Sequence, residues 1–111
     1  MSNQPLAPDT LRMIAQRFKV LAEPARLEVL NALRESPLNV SELIDATGLN
    51  QANLSKHLQL LHASGFVNRR RDGLFVIYEL ADASVFQLCD IMCGQVRRHA
   101  TAQVKHLRIA R

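Results

Sequence analysis

Two short helical patterns meet at a glycine near the middle of the chain, and few folds accommodate such a junction. The first pattern starts at Asn39, which stands three residues before Glu42 as in a capping box. It ends at Gly48, a residue that supplies the left-handed backbone at a helix C-terminus. Asn50 is then expected to cap a second helix. The inward-facing positions of that helix are Leu54, Leu58 and Leu61. Two helices joined this tightly predict a helix-turn-helix.

Two further helices are predicted before this junction. Asp9 or Thr10 is expected to cap the first, whose apolar residues recur at helical spacing. Pro24 separates the two helices, because proline interrupts a helix interior but fits a first turn. The second helix is expected to run to about residue 33. The apolar positions of the first helix are Leu11, Ile14, Ala15, Phe18, Leu21 and Ala22, and the predicted buried stripe of the second is Leu27, Leu30 and Leu33.

After Gly65 the apolar period changes from helical to extended, which indicates strands. The segments 66–71 and 74–80 flank Asp72-Gly73, a typical two-residue hairpin turn. A long final helix, capped by Asp82 or Ser84, is expected to end near Lys105. The predicted fold is therefore mainly α with a small β-hairpin, in the order α-α-α-α-β-β-α of a winged helix-turn-helix.

The 111 residues allow one domain, and 48% of them are apolar, which is enough for a core. We place this domain at residues 10–106, between a flexible arm at 1–9 and a basic tail at 107–111. The chain has no apolar run long enough for a membrane span, and its first nine residues lack a signal-peptide pattern. Together with a content of only two cysteines, these features predict a cytoplasmic protein.

The second helix of the junction presents polar side chains on its outer face. Gln and Asn side chains can pair with adenine edges in the major groove, whereas Ser and Lys suit phosphates. An ordinary solvated helix face explains the pattern equally well when this helix is considered alone. The candidate DNA contacts are Gln51, Ala52, Asn53, Ser55, Lys56 and His57.

Three consecutive arginines lead into the predicted hairpin turn. Alternation along a strand places Arg69 and Arg71 on one face and Arg70 on the other. Charge on an edge strand can simply discourage aggregation. Directly after a helix-turn-helix, however, the basic run favours a wing that contacts a DNA backbone or a minor groove, with Asp72 and Gly73 at its tip. The net charge of +4 and the pI of about 9.7 agree with a polyanionic partner.

Four segments resemble the ArsR/SmtB family in order and spacing, and the likeness covers roughly residues 11–98. The segments are 18–27 (FKVLAEPARL), 40–43 (VSEL), 49–58 (LNQANLSKHL) and 70–73 (RRDG). The resemblance implies a homodimeric winged-helix repressor whose first and last helices form most of the dimer contact. It also implies release from DNA when a metal, a metalloid or a thiol oxidant binds.

The apolar stripes of the first and last helices support a homodimer independently of this resemblance, because one small domain would struggle to cover both. Pairing across a two-fold axis would place two recognition helices about one DNA turn apart. The predicted partner is therefore double-stranded DNA that carries an inverted-repeat operator.

The metal-binding patterns of the family are incomplete in this chain. The resemblance would require cysteines around Asn39 and Ser41, and the sequence has none there. It would also require an Asp-x-His pattern where the sequence has Asp82-Ala-Ser84, and further ligands within 95–98, where there are none. We therefore expect no bound metal at these sites and no resident cofactor.

Cys89 and Cys93 are the remaining candidate sensor residues. Their spacing of four places them on one helix face, with β-carbons about 5–6 Å apart. An unstrained disulfide does not span that distance, so a thiol switch would need helix distortion or a cysteine across the dimer. A soft metalloid could instead bridge the two thiolates. The alternative is that both residues are small buried hydrophobic groups.

Other functional classes fit the sequence less well. The four glycines mark helix ends, a turn and one helix interior rather than a phosphate loop, and no nucleophile has an evident base and acid beside it. We therefore expect no enzymatic activity. A winged-helix module that binds proteins would need an apolar outer face in place of Gln51 and Asn53. A constitutive DNA-binding regulator with purely structural cysteines is the other alternative.

Overall fold

The computed structural model describes the backbone of residues 4–103 and the side chains of residues 4–100. Two compact units are present, Met1–Ala81 and Asp82–Arg111. Three predictions lie wholly or partly outside the described residues: the first three positions of the arm, the basic tail at 107–111, and the end of the last helix near Lys105.

The described residues form five helices and three strands in the predicted order, apart from one added short strand. The elements are α1 (Pro8–Leu21), α2 (Pro24–Ala32), β1 (Leu38–Asn39), α3 (Val40–Thr47), α4 (Gln51–Ala63), β2 (Val67–Asp72), β3 (Phe75–Leu80) and α5 (Val85–Gln103). This confirms the winged helix-turn-helix. None of the helices within 4–103 combines the length and the apolar character that crossing a bilayer requires.

Helix α1 begins earlier than its predicted caps. Its first helical residue is Pro8, and the residue before it, Ala7, makes no capping side-chain hydrogen bond. Proline suits this first position because the N–H that it lacks would have no partner within the helix. Asp9 lies inside the first turn and pairs with Arg12 instead. The prediction that Asp9 or Thr10 caps α1 is therefore wrong.

The predicted boundaries of α3 and α4 are confirmed. The Asn39 side chain accepts a hydrogen bond from the Glu42 N–H at 2.8 Å, and the Glu42 carboxylate accepts one from the Asn39 N–H at 2.9 Å. Gly48 ends α3 with φ of +74°, and its N–H donates to the Ile44 carbonyl. The Asn50 side chain accepts from the Asn53 N–H at 2.8 Å and so caps α4.

The strands form one antiparallel sheet in the order β1-β3-β2. Strand β1 pairs Leu38 with Tyr78 and Asn39 with Ile77. It was not predicted, because two residues carry no recognisable period and only the pairing with β3 makes them a strand. The antiparallel pairing of β2 with β3 gives the predicted hairpin.

The turn of the hairpin is displaced by one residue from its predicted position. Asp72 still pairs with Phe75, so the two-residue loop is Gly73-Leu74 rather than Asp72-Gly73. Gly73 has φ of +62°, whereas no non-glycine residue among those described has a positive φ. A glycine at the first loop position is typical of a type II′ turn, which explains why Asp72 stays in the strand.

The core of the first unit lies between α2, α3 and α4. The three leucines predicted to face inward from α4 are all buried. In α2 and at its C-cap the buried residues are Val29, Leu30 and Leu33, whereas Leu27 is 37% exposed, so its predicted burial is wrong. With 3.6 residues per turn, Leu27 lies at the margin of the stripe that the other three residues define.

Helix α1 contributes little to this core. Among its residues as described only Val20 is buried, while Leu11, Met13 and Phe18 are each more than half exposed. The apolar stripe predicted for α1 therefore lies largely at the surface of the single chain.

Candidate nucleic-acid interface

The first two turns of α4 separate buried from exposed side chains. Leu54 is fully buried, whereas its neighbours on the outer face are exposed. The N-terminal end of a recognition helix is the part that reaches base edges in the major groove. The exposed candidates are Gln51, Ala52, Asn53, Ser55 and Lys56.

His57 differs from the other candidates on α4 because it is half-buried. Its Nδ1 lies 3.3 Å from a terminal nitrogen of Arg26, whose Nε donates to the Val20 carbonyl at 2.6 Å. A guanidinium can only donate hydrogen bonds, so the His57 ring is the acceptor in this contact. His57 thus links α4 to α2 and to the end of α1, and its contact with DNA stays a prediction.

Thr47 supports the turn between α3 and α4. Its hydroxyl donates to the Leu43 carbonyl at 2.7 Å and accepts a hydrogen bond from the Leu49 N–H at 3.3 Å. These bonds connect the last turn of α3 to the residue after Gly48, and they leave the outer face of α4 untouched. The sequence did not predict this role of Thr47 specifically. The one indication was that a hydroxyl residue directly precedes the capping Gly48.

Arg17 makes a second link between α1 and the end of α4. Its guanidinium donates to the Ser64 carbonyl at 2.8 Å and lies 4.4 Å from the centre of the Phe66 ring. A cation over an aromatic face is favourable, so this contact helps to hold α1 where α4 passes into the wing. No sequence signal predicted it, because the two partners are 47 positions apart.

The three arginines lie on β2 in the predicted alternation. Arg69 is opposite Tyr78, Arg70 is opposite Ile77 and Arg71 is opposite Val76. Arg70 forms an ion pair with Glu79 on the adjacent strand, with an N–O distance of 3.3 Å. Within residues 4–100, Arg69 and Arg71 have no such carboxylate partner, so their charges are available to an external anion.

The tip of the hairpin carries an apolar residue that the predictions omitted. Asp72 and Gly73 are exposed as expected, but the loop also contains Leu74, which is 94% exposed. This is the highest exposure among the large apolar side chains described. The tip, the arginines and α4 all belong to the unit Met1–Ala81, in which α4 contacts β2.

The two cysteines lie on α5 in the other unit. Both have free thiols and both are half-buried. No group of three or more His, Cys, Asp or Glu side chains suited to a metal occurs in the part of the chain that the structure describes. Within the described part of one chain, the two thiols therefore have no third His, Cys, Asp or Glu side chain grouped with them.

Comparison with known proteins identifies relatives of this chain. The family model of the bacterial regulatory proteins of the arsR family matches residues 23–69, from the residue before α2 into β2. The HTH-type transcriptional regulator NmtR of Mycobacterium tuberculosis is 37% identical over 91 residues, which cover 79% of this chain and 76% of that protein.

Two solved structures are similar in fold. The crystal structure of Mycobacterium tuberculosis Rv0081 has a TM-score of 0.76 and 35% identity, with 89% of this chain and 99% of that chain covered. The solution structure of the homodimeric winged helix-turn-helix DNA-binding domain of Mb0332 from Mycobacterium bovis has a TM-score of 0.70 and 29% identity. That comparison covers 98% of this chain and 100% of the other.

Proposed function

Because this chain belongs to the arsR family of bacterial regulatory proteins and is a DNA-binding transcriptional regulator, we propose that it is a homodimeric repressor of an inverted-repeat operator. One observation carries the proposal: the polar start of α4 and the arginines of β2 are exposed on the same compact unit. The proposal is that one duplex contacts both. The protein would act in the cytoplasm, where such a duplex is found.

The two elements would divide the work of recognition. Gln51 and Asn53 would read base edges in the major groove, because their amides both donate and accept hydrogen bonds. Ser55 and Lys56 would contact phosphates and fix the position of the helix. Arg69 and Arg71 would bind the backbone beside the adjacent minor groove.

Exposed apolar side chains on two helices support the homodimer. On α1 they are Leu11, Met13 and Phe18, and on α5 they are Leu88, Ile91, Met92 and Val96. Apolar surface that one chain leaves uncovered favours association with a second copy. The homodimeric state of the M. bovis relative agrees with this arrangement. Two copies would double the formal net charge of +4 to +8 and strengthen attraction to DNA.

Salt-dependent binding tests the proposal. A duplex selected from a random pool by the wild-type protein, hereafter the selected duplex, is titrated at several salt concentrations. The double variant Arg69→Ala/Arg71→Ala should bind about tenfold more weakly. The slope of the logarithm of its binding constant against the logarithm of the salt concentration should be smaller by about 1 per arginine. Arg34→Ala removes one positive charge outside α4 and the wing, so it is the control for each arginine taken singly, and it should keep the affinity and the salt dependence of the wild type. Failure to select any duplex, or equal binding by the double variant, would refute the proposed interface.

For the effector, we propose that a soft thiophilic ion bridges Cys89 and Cys93 and releases the DNA. Support comes from their placement one turn apart on α5 and from the free thiol state of both. Arsenite should dissociate the wild-type complex with the selected duplex, while Cys89→Ser/Cys93→Ser should bind DNA and ignore arsenite. If arsenite leaves the wild-type complex intact, the cysteines do not sense this ion, and if an oxidant also leaves it intact, the cysteines are structural and the regulator has no thiol effector.

A further inference from the structure

Leu74 occupies an unusual place for a large apolar side chain. It is the second residue of the two-residue loop, it follows Gly73, and it is 94% exposed. The residue that follows a glycine in such loops is commonly Asn, Asp or Ser. Its neighbour Phe75, the first residue of β3, is 55% exposed, so this end of the hairpin offers two adjacent apolar side chains to the surroundings.

The surroundings of the tip favour a polyanion as its partner. Arg71 lies three positions before Leu74, and Arg69 lies two residues further back on the same face of β2. At about 3.4 Å per strand residue, their α-carbons are roughly 7 Å apart, so the two guanidinium groups can reach separate phosphates. An apolar tip flanked by cations fits a partner with charged rims and apolar surface between them, and duplex DNA supplies such surface where a base step opens and exposes the faces of its bases.

The width of the hairpin decides which part of it can enter the groove. Neighbouring strands are about 4.8 Å apart before their side chains are counted. The minor groove of B-form DNA is about 6 Å wide. The body of the ribbon with its arginines is therefore too wide for the groove, whereas the tip, one glycine and one leucine, is narrow enough.

We propose that Leu74 enters the minor groove of the operator as an apolar wedge and partly unstacks one base step, while Arg69 and Arg71 hold the flanking phosphates. This inference rests on the proposed DNA-binding function and adds to it a residue that deforms the duplex. Apolar wedges of this kind kink DNA toward the major groove by about 20–90°. Unstacking costs least at pyrimidine–purine steps, so the wedge would add sequence preference without any hydrogen bond.

The experiment uses the full chain and the selected duplex. The duplex carries end-to-end fluorophores that report bending, and 2-aminopurine at successive positions reports unstacking. The wild type should bend the duplex by about 20° or more and brighten 2-aminopurine at one step in each half-site. Leu74→Ala should lose both signals and bind roughly fivefold more weakly. Leu6→Ala, a matched truncation of a leucine that is 54% exposed outside the wing, should keep both signals.

A second variant separates a wedge from simple proximity to DNA. Leu74→Lys adds a phosphate-binding charge, so it should recover affinity at low salt and still fail to bend the duplex or brighten 2-aminopurine. If Leu74→Ala or Leu74→Lys bends the duplex and brightens 2-aminopurine as much as the wild type does, the wedge proposal is overturned. This holds even if Arg69→Ala/Arg71→Ala weakens DNA binding as proposed. A change of oligomeric mass in Leu74→Ala without DNA would assign the tip to a protein contact and also overturn it. If the wild type selects no duplex, both proposals fail.

Discussion

Gln51 and Asn53 differ from their neighbours on α4 in what they can discriminate. Each ends in an amide that can form two hydrogen bonds with one adenine, whereas Lys56 offers a mobile point charge that suits any phosphate. All three side chains are exposed, so the difference between them lies in chemistry rather than in accessibility.

Gln51→Ala and Asn53→Ala should therefore relax sequence preference. Each variant should lose about 1–3 kcal/mol of binding free energy on the selected duplex and almost none on a scrambled duplex of equal composition. Lys56→Ala is the control and should weaken both complexes to a similar extent. Competition binding measures the two affinities side by side. Equal losses on both duplexes for Gln51→Ala would show that this side chain reads no base.

Asp82 is a residue whose pKa the structure lowers. Its carboxylate accepts a hydrogen bond from the Ser84 N–H at 2.9 Å just before α5 begins. This bond and one from the Ser84 side chain lower the pKa of Asp82 below its ordinary value of 3.8.

The stabilisation from Asp82 should depend on pH in one direction. It is complete above pH 3.8 and is lost as the pH falls through the lower folded-state pKa, because the protonated carboxyl is a weaker acceptor. A carbon-detected NMR titration of the Asp82 carboxyl should give a midpoint below 3.8. Ser84→Ala should move that midpoint upward by removing the hydroxyl bond, and an unchanged midpoint would contradict the assignment.

At the scale of elements, two arginines outside α4 connect it to α1 and α2. Arg26 joins the Val20 carbonyl to His57, and Arg17 joins α1 to the Ser64 carbonyl at the end of α4. Arg26 is half-buried and Arg17 is exposed. The Arg26 contacts should therefore matter more to stability, because solvent competes less with them.

A double-mutant cycle tests the Arg26–His57 link. Arg26→Ala should lower the free energy of unfolding by about 1.5–3 kcal/mol, since it removes charge-assisted hydrogen bonds. The cycle with His57→Ala should show a coupling energy of at least about 0.5 kcal/mol. A parallel cycle of Arg17→Ala with His57→Ala is the control and should be near additive. Denaturant titration supplies the values, and additivity in the first cycle would mean that the 3.3 Å contact contributes no stability.

Over the whole molecule, the proposed function requires two copies of the chain. Phe18 is 52% exposed on α1, so a charge there should leave the single chain folded and disrupt an apolar dimer face. Light scattering should show Phe18→Glu as a monomer. The variant should bind a duplex that carries one half-site as tightly as the wild type does. Its affinity for a duplex that carries both half-sites should fall at least tenfold, because the two DNA-binding units are no longer linked in one dimer. A dimeric Phe18→Glu protein would remove α1 from the interface.

The elements that were predicted well are those whose signals lie within a few residues. Three helix ends depend on partners only three or four positions apart, so they can be predicted from the sequence. They are the Asn39–Glu42 capping box, the Asn50 cap and the left-handed Gly48. The polar face of α4 could also be predicted, because the leucines that recur at the helical period identify the opposite, buried face. The hairpin was found, but its loop was misplaced by one residue, since both Asp-Gly and Gly-Leu are compatible with a two-residue turn.

Other features exist only after distant segments have packed. Residues 38–39 become a strand because β3 supplies their hydrogen-bond partners, and Leu27 is 37% exposed because the packed core covers the stripe beside it. Arg26 reaches His57 across 31 positions and Arg17 reaches Ser64 across 47. Local backbone preferences operate over one helical turn and can be recognised in any chain. Contacts between remote side chains depend on how whole elements pack against one another, and that is settled only when the chain folds.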